Sequence, residues 1–163
     1  MNVQTKVTAP GLHDRDFHAW LEDQARVLRR GAPDALDLPN LLEEIEDMGN
    51  AILRELESRI ALILEHLVKY RYSANRDPAL GWRRTLLEQR TRVSRLLHRN
   101  PSIRRRLDGT IAAEYAGARK LALLSFEEYD PARLDGYRVR IPETCPYTVE
   151  QILDEDWLPD PQV

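Results

Sequence analysis

A single helical pattern, running from residue 38 to residue 70, constrains this chain more than any other feature. Its apolar residues recur at steps of three or four, which places them on one face of an α-helix. The pattern keeps its phase across Gly49, so we predict one continuous helix, although a lone glycine costs about 1 kcal/mol relative to alanine. The residues of this predicted buried stripe are Leu41, Ile45, Met48, Ile52, Leu56, Ile60, Ile63 and Leu67.

Shorter amphipathic segments lie on both sides of the long helix. The first is predicted to begin at Asp14 or Asp16, because a carboxylate at that position can cap a helix, and to stop at Gly31. Another runs from Trp82 to His98 and shows the same helical spacing of apolar residues. These two segments bring the number of predicted main helices to three.

The rest of the chain predicts a fourth main helix and an irregular extension. Asn100 is placed to cap this helix and Pro101 to occupy its first position. Residues 126–146 contain three prolines, so we expect a loop that wraps the bundle, with one short extended piece from Tyr137 to Ile141. Thr148 begins a capping-box pattern, which predicts a short terminal helix.

Composition supports an all-α, single-domain fold. The chain of 163 residues is 42% hydrophobic and 31% charged and has only seven glycines, which favours amphipathic helices. We therefore predict a helical bundle of four main helices over residues 14–163, with a wrapping C-terminal extension and a short terminal helix. Residues 1–13 are polar with a Pro-Gly pair and are predicted to form a flexible terminus.

Cysteine usage and hydropathy narrow the possible functions. The only cysteine, Cys145, excludes an internal disulfide and a cysteine-based zinc cluster, and we interpret it as a half-buried structural thiol. No apolar run approaches the roughly 18 residues of a membrane span, and the N-terminus lacks the apolar core of a signal peptide. We expect a cytoplasmic protein with no membrane partner.

Seven segments resemble, in the same order, the bacterial domain of unknown function 29 family. The resemblance covers about residues 14–159 and implies a mainly α-helical bacterial protein, without known catalytic residues to carry over. Residues matching the family pattern include Glu44, His66 and Trp82, whereas His18 and His98 do not correspond to family histidines. The segments are DFHAWLEDQARVLRRG, LDLPNLLEEIEDMG, ELESRIALILEHLVKY, GWRRTLLEQR, NPSI, AEYAGARKLA and CPYTVEQILDEDWLP.

A polar edge beside the apolar stripe is the best candidate for a binding site. Glu44, Glu55 and His66 recur every 11 residues, and three turns of an α-helix take about 10.8 residues, so the side chains form a line. Arg59 lies one turn after Glu55 and can pair with it. The edge could also serve only to orient neighbouring helices. With Trp82, these four residues make up the candidate binding set.

A metal site is a weaker alternative. His18, His66 and His98 lie on three different predicted helices and could converge on one ion. The di-iron bundle signature fails, because Ile63 occupies the position three residues before His66. A core histidine bonded to a carboxylate or a backbone carbonyl is the favoured interpretation, and we predict no cofactor.

Charge is distributed unevenly along the chain. Residues 67–108 hold 12 Lys or Arg against three acids, whereas the remainder holds 12 against 24. A clustered positive segment can bind phosphates. Residues 143–160, with six acids and no base, could instead pair with it inside the protein or between subunits, which is the interpretation we favour. The candidate nucleic-acid residues are Arg83, Arg84, Arg95, Arg104 and Arg105.

Three functional hypotheses follow from these patterns. The first is a non-catalytic cytosolic interaction or regulatory module that binds a protein partner, or a second copy of itself, through a helix face. The second is a nucleic-acid-binding protein that uses the basic segment 83–106. The third is a metal-dependent bundle enzyme centred on His66.

Overall fold

The computed structural model describes residues 11–162, and every regular element within that range is a helix. The all-α prediction is therefore confirmed for this part of the chain. Three 3-10 helices occupy Pro33–Ala35, Pro101–Arg106 and Pro131–Arg133. The α-helices are α1 (Leu12–Arg15), α2 (Phe17–Arg29), α3 (Leu38–Tyr72), α4 (Ala79–Arg99), α5 (Leu107–Tyr129), α6 (Leu134–Arg140) and α7 (Val149–Leu153).

The chain divides into two compact units. The first ends at Ala51 and the second begins at Ile52, so the 35 residues of α3 contribute 14 to the first unit and 21 to the second. Of the predicted flexible terminus, residues 1–10 lie outside the described residues, whereas Leu12 and His13 belong to α1. None of the helices within residues 11–162 combines the length and apolar content that crossing a membrane requires.

The first unit is organised around Trp20 and Asp37. Asp16 caps α2 by accepting a hydrogen bond from the backbone N–H of Ala19, and Gly31 takes a positive φ of 65° just after the helix ends. Trp20 is 2% exposed, and its indole Nε1 donates to the carboxylate of Asp37 at 3.1 Å. The Gln24 side chain accepts from the backbone N–H of Asp37 at 2.8 Å. The centre of the first unit is therefore one buried tryptophan in a polar network and not an apolar core.

The second unit has an extensive apolar core. Its three long helical segments are the last 21 residues of α3, α4 with 21 residues, and α5 with 23. Buried apolar residues of all three segments belong to one core cluster, and burial of apolar surface is the dominant favourable contribution to the free energy of folding. The apolar residues of these three segments that are at most 1% exposed are Leu56, Ile60, Ile63, Leu64, Leu67, Val68, Leu86, Val93, Ala118 and Ala122.

Helix α3 is continuous across Gly49, as predicted, but its apolar stripe is buried over only part of its length. Leu56 and Ile60 are buried, which confirms the prediction for the second half. The prediction is wrong for Ile45 and Met48, which are 65% and 69% exposed. Periodicity defines a face of a helix but does not determine whether another element covers it.

The connection between α4 and α5 differs from the prediction. The Asn100 side chain donates to the backbone carbonyl of Leu96 at 3.0 Å, so it caps the end of α4 and makes no cap on the following helix. Pro101 does occupy the first position of a helix, but that helix is of the 3-10 type and precedes α5. Helix α4 also begins earlier than predicted, at Ala79.

The extended piece predicted at 137–141 is wrong for its first four residues, which belong to α6, and only Ile141, just after the helix, has extended backbone. Leu134, Tyr137 and Ile141 follow one another at three and four residues, and all three are buried in the core of the second unit. The Tyr137 hydroxyl donates to the carboxylate of Asp130 at 2.6 Å. This helical spacing is present in the sequence, but the flanking prolines and the glycine obscured it.

The C-terminal segment packs on α4 and α5 through Arg90. Thr148 and Gln151 form the predicted capping box of α7. The Arg90 guanidinium is 1% exposed and donates to the backbone carbonyls of Gln151, Ile152 and Trp157 at 2.7 to 2.9 Å. Cys145 is half-buried, and its burial raises the pKa of the thiol, in keeping with a structural role.

Candidate interaction surface

The residues of the predicted polar edge each bind a different local partner. Arg59 donates to the Glu55 carboxylate at 2.7 and 2.9 Å, which confirms that predicted pair. It also donates to the side-chain oxygen of Gln89 at 3.0 Å. The bond from Arg59 to Gln89 joins α3 to α4 within the second unit. These contacts are compatible with the interpretation that this part of the edge orients neighbouring helices.

His66 is held by its own helix. Its Nδ1 lies 2.9 Å from the backbone carbonyl of Leu62, one turn earlier, so Nδ1 carries the proton and donates. Burial lowers the pKa of the imidazole, because a protonated ring loses hydration there. This arrangement matches the interpretation of His66 as a core histidine bonded to a backbone carbonyl.

Glu44 lies in the first unit and binds His13. The His13 Nε2 is 2.8 Å from a Glu44 carboxylate oxygen. This hydrogen bond raises the pKa of His13, since it stabilises the protonated imidazole. The edge of the His13 ring also packs against Trp20, with centroids 4.7 Å apart. The pair fixes α1 and α3 to the tryptophan at the centre of this unit.

Trp82 lines a cleft of about 300 Å³ in the second unit. Phe126 and Tyr129 supply further aromatic surface, and Lys69 and Asp130 supply one charge of each sign. The Lys69 ammonium already pairs with Glu65, and Asp130 accepts from Tyr137 and Arg133. The cleft therefore offers aromatic surface, but its two charged groups are engaged with protein partners.

The three histidines of the metal hypothesis differ in their surroundings. His66 is half-buried, whereas His18 and His98 are exposed. Across residues 11–162, no group of three or more His, Cys, Asp or Glu side chains is placed to hold a metal ion.

The basic segment presents a row of arginines to solvent. Among the described residues, only Arg92 of this row forms an ion pair, with Glu88 at 2.7 Å. The acidic C-terminal segment does dock on α4, but through the backbone carbonyls bound by Arg90 and a hydrogen bond from Thr91 to Glu155. The exposed arginines are Arg83, Arg84, Arg92, Arg95, Arg99, Arg104, Arg105 and Arg106.

Apolar side chains on the first half of α3 are exposed, although their spacing is typical of a buried helix face. Leu38, Leu42, Ile45 and Met48 follow one another at four, three and three residues and share one face. They are between 59% and 69% exposed, and we call them the α3 stripe. Exposed apolar side chains are common singly, but a contiguous row of four is a candidate interaction surface.

The apolar spacing in the first half of α3 was interpreted as part of the buried core, so the sequence did not predict this surface. The signal that could have identified it is length: the helical pattern of residues 38–70 is far longer than the predicted helix of residues 82–98. A longer helix leaves part of its apolar face without a neighbour of equal length. Among residues 11–162, fourteen large apolar residues are exposed, and eight of them lie in the first unit, although that unit is the smaller.

The described residues define an all-helical protein whose longest helix presents an uncovered apolar face along its first half. A family model described as Domain of unknown function DUF29 matches residues 12–158, and the chain belongs to this family. Comparison with curated proteins and with solved structures found no match.

Proposed function

We propose that this member of the DUF29 family is a non-catalytic interaction or regulatory module of the bacterial cytosol that binds its partner through the α3 stripe. The single observation that supports this proposal is the exposure of four large apolar side chains on one face of a regular helix. Burying each of them would contribute about 1.5 to 3 kcal/mol relative to full exposure, scaled by the fraction that the partner covers. The expected bundle of four main helices, α2 to α5, also remains part of the proposal.

The local contacts of the polar edge support a structural role for its side chains. The His66 Nδ1 donates to a backbone carbonyl, Glu44 binds His13, and Glu55 binds Arg59. Each of these bonds lies within one unit and helps to hold it together, so the α3 stripe is the better candidate for a partner.

The experiment that tests the proposal compares the full chain with its Ile45→Asp variant. Each is used as bait in a cell lysate, and every captured protein is purified and tested for direct binding. Wild-type protein should bind a partner that the variant loses, while Leu124→Asp, an exposed residue on α5, should bind as wild type does. Partners that bind both variants equally would contradict a role for the α3 stripe.

Nucleic-acid binding is the second candidate, and the eight exposed arginines between residues 83 and 106 support it. Binding that depends on phosphate contacts weakens steeply as salt increases. A gel-shift assay with duplex DNA and with single-stranded RNA, at low and at physiological salt, tests this candidate. Unchanged mobility at low salt would exclude it, and a complex lost in the Arg84→Glu/Arg95→Glu variant would support it.

A further inference from the structure

The first unit carries a strong negative charge beside the α3 stripe. Residues 31–53 contain six acids and no Lys or Arg. Glu43 and Glu46, three residues apart, are exposed on the same side of the helix. Among the described residues, neither forms an ion pair. The partner that fits this surface is apolar with positive charge at its margin.

A face with this chemistry lies on α4 of the same chain. Four residues of α4 lie at successive steps of four, three and eight, which places them on one side of the helix. We call this side the α4 face, and its residues are Leu80, Arg84, Leu87 and Arg95. Leu80 is 75% exposed and Leu87 is 51% exposed. Neither Arg84 nor Arg95 has a carboxylate within 4 Å among residues 11–162.

The α4 face also borders a cleft that could receive an apolar side chain. The cleft has a volume of about 430 Å³ and is lined by Leu80, Leu86, Leu87 and Leu158. Its charged lining includes Arg83 and Arg84 of α4 and, from the C-terminal segment, Glu155 and Asp156. The Glu155 carboxylate accepts a hydrogen bond from the hydroxyl of Thr91 at 2.9 Å. The cleft therefore carries charge of both signs, and the positive charge of the α4 face comes from Arg84 and Arg95.

We infer that the occupant of the α3 stripe is a second copy of this chain, which receives the stripe on its α4 face. This inference rests on the proposed function and names its partner. An assembly in which each stripe lies on the other copy's α4 face has two equal contacts and is closed as a dimer. Pairing two α3 stripes with each other is disfavoured, because it would bring the acids Glu43 and Glu46 of both copies together.

Exchanging the charges of the two surfaces tests the inference. The variant Glu43→Lys/Glu46→Lys makes the margin of the stripe basic, and Arg84→Glu/Arg95→Glu makes the α4 face acidic. All four positions are exposed, so the fold should survive, which circular dichroism and thermal melting check. Sedimentation velocity over a range of concentrations then measures association of each protein and of their equimolar mixture.

The inference predicts a reversible, concentration-dependent dimer of the wild type that weakens as salt increases. Each variant alone should associate at least about tenfold more weakly, because like charges then face each other in both contacts. Mixing the two variants should restore dimers, since each altered surface then meets its complement. Glu127→Lys/Glu128→Lys, an exposed pair on α5, changes net charge equally and should leave association unchanged.

Other results would overturn the inference in distinguishable ways. A monomer at every concentration would exclude the second copy as partner, whereas the proposed function would still be decided by the Ile45→Asp capture experiment. In a second outcome, Ile45→Asp abolishes association but the charge variants do not change it. The stripe would then bind a surface other than the α4 face, and the proposed function would stand. In a third outcome, the arginines bind nucleic acid and no dimer forms. The α4 face would then be a nucleic-acid-binding surface.

Discussion

The Arg90 guanidinium donates through Nε to the backbone carbonyl of Ile152 at 2.9 Å, across 62 residues of sequence. The same group binds two further carbonyls of the C-terminal segment. The carbonyls of Gln151 and Ile152 lie in the last turn of α7, where a helix has no N–H groups left to bind them, and Trp157 lies in the irregular segment beyond it. One cation with a planar array of donors can satisfy several such carbonyls. A residue from the basic segment therefore anchors the chain terminus within the fold.

Replacing Arg90 with leucine should destabilise the protein by about 3 kcal/mol or more. The substitution leaves three carbonyls without their donor in a buried site, and each unsatisfied group costs about 1 to 3 kcal/mol unless water enters. Urea denaturation measures the loss, and limited proteolysis should show earlier cleavage in residues 150–160. Arg83→Leu, at an exposed position, should change stability by less than about 0.5 kcal/mol. Equal losses for both would contradict the anchoring role.

Truncation along α3 should distinguish its buried half from its exposed half. Leu56→Ala should cost about 2 to 5 kcal/mol, because it opens a cavity in a fully packed core. Ile45→Ala should cost less than about 0.5 kcal/mol in a dilute sample. Chemical denaturation of both variants at low concentration is the measurement. A large loss for Ile45→Ala under those conditions would show that this residue is covered within one chain.

Replacing Gly49 with alanine should stabilise α3 by about 1 kcal/mol, since alanine loses less backbone entropy in a helix. A methyl group added at Gly49 meets no atom within 4 Å, so there is no steric cost in the isolated chain. Thermal melting monitored by circular dichroism measures the gain. Gly31→Ala is the matched control and should destabilise, because Gly31 has a φ of 65° that side chains disfavour.

The half-buried His66 should titrate below the ordinary imidazole pKa of about 6.5, which NMR can follow. As the pH falls below that value, the unfolded chain takes up the proton first. The contribution of His66 to the free energy of unfolding therefore decreases until the pH reaches the folded pKa. His66→Gln should flatten the dependence of stability on pH in this window. A titration midpoint above 6.5 would contradict the burial of this ring.

The opposite sign is expected for His13, whose hydrogen bond to Glu44 raises its pKa. Here the folded chain holds the proton more tightly, so the contribution is complete below about pH 6.5 and is lost as the pH rises through the folded pKa. Glu44→Gln should lower the NMR midpoint of His13 toward the ordinary value. An unchanged midpoint would show that Glu44 does not contact His13 in solution.

Local rules determined much of this fold from the sequence. The stop of α2 at Gly31, the continuity of α3 and the capping box at Thr148 each depend on interactions within a few residues, and each is confirmed. The Glu55 to Arg59 pair, one helical turn apart, is confirmed for the same reason. The prediction was wrong at Asn100, whose side chain could cap either the end of α4 or the start of the following helix. The sequence does not indicate which of the two it caps, and in the structure it caps α4.

Tertiary structure alone decided which apolar residues are core and which charges face solvent. Ile45 and Ile60 have the same place in the helical pattern, yet one is 65% exposed and the other fully buried, because only the second has neighbouring helices over it. Arg90 and Arg84 look alike in sequence, yet one binds three carbonyls and the other lies in solvent. Burial depends on elements distant in the chain, so the sequence defined the faces of each helix, and packing determined which of them remained free to bind.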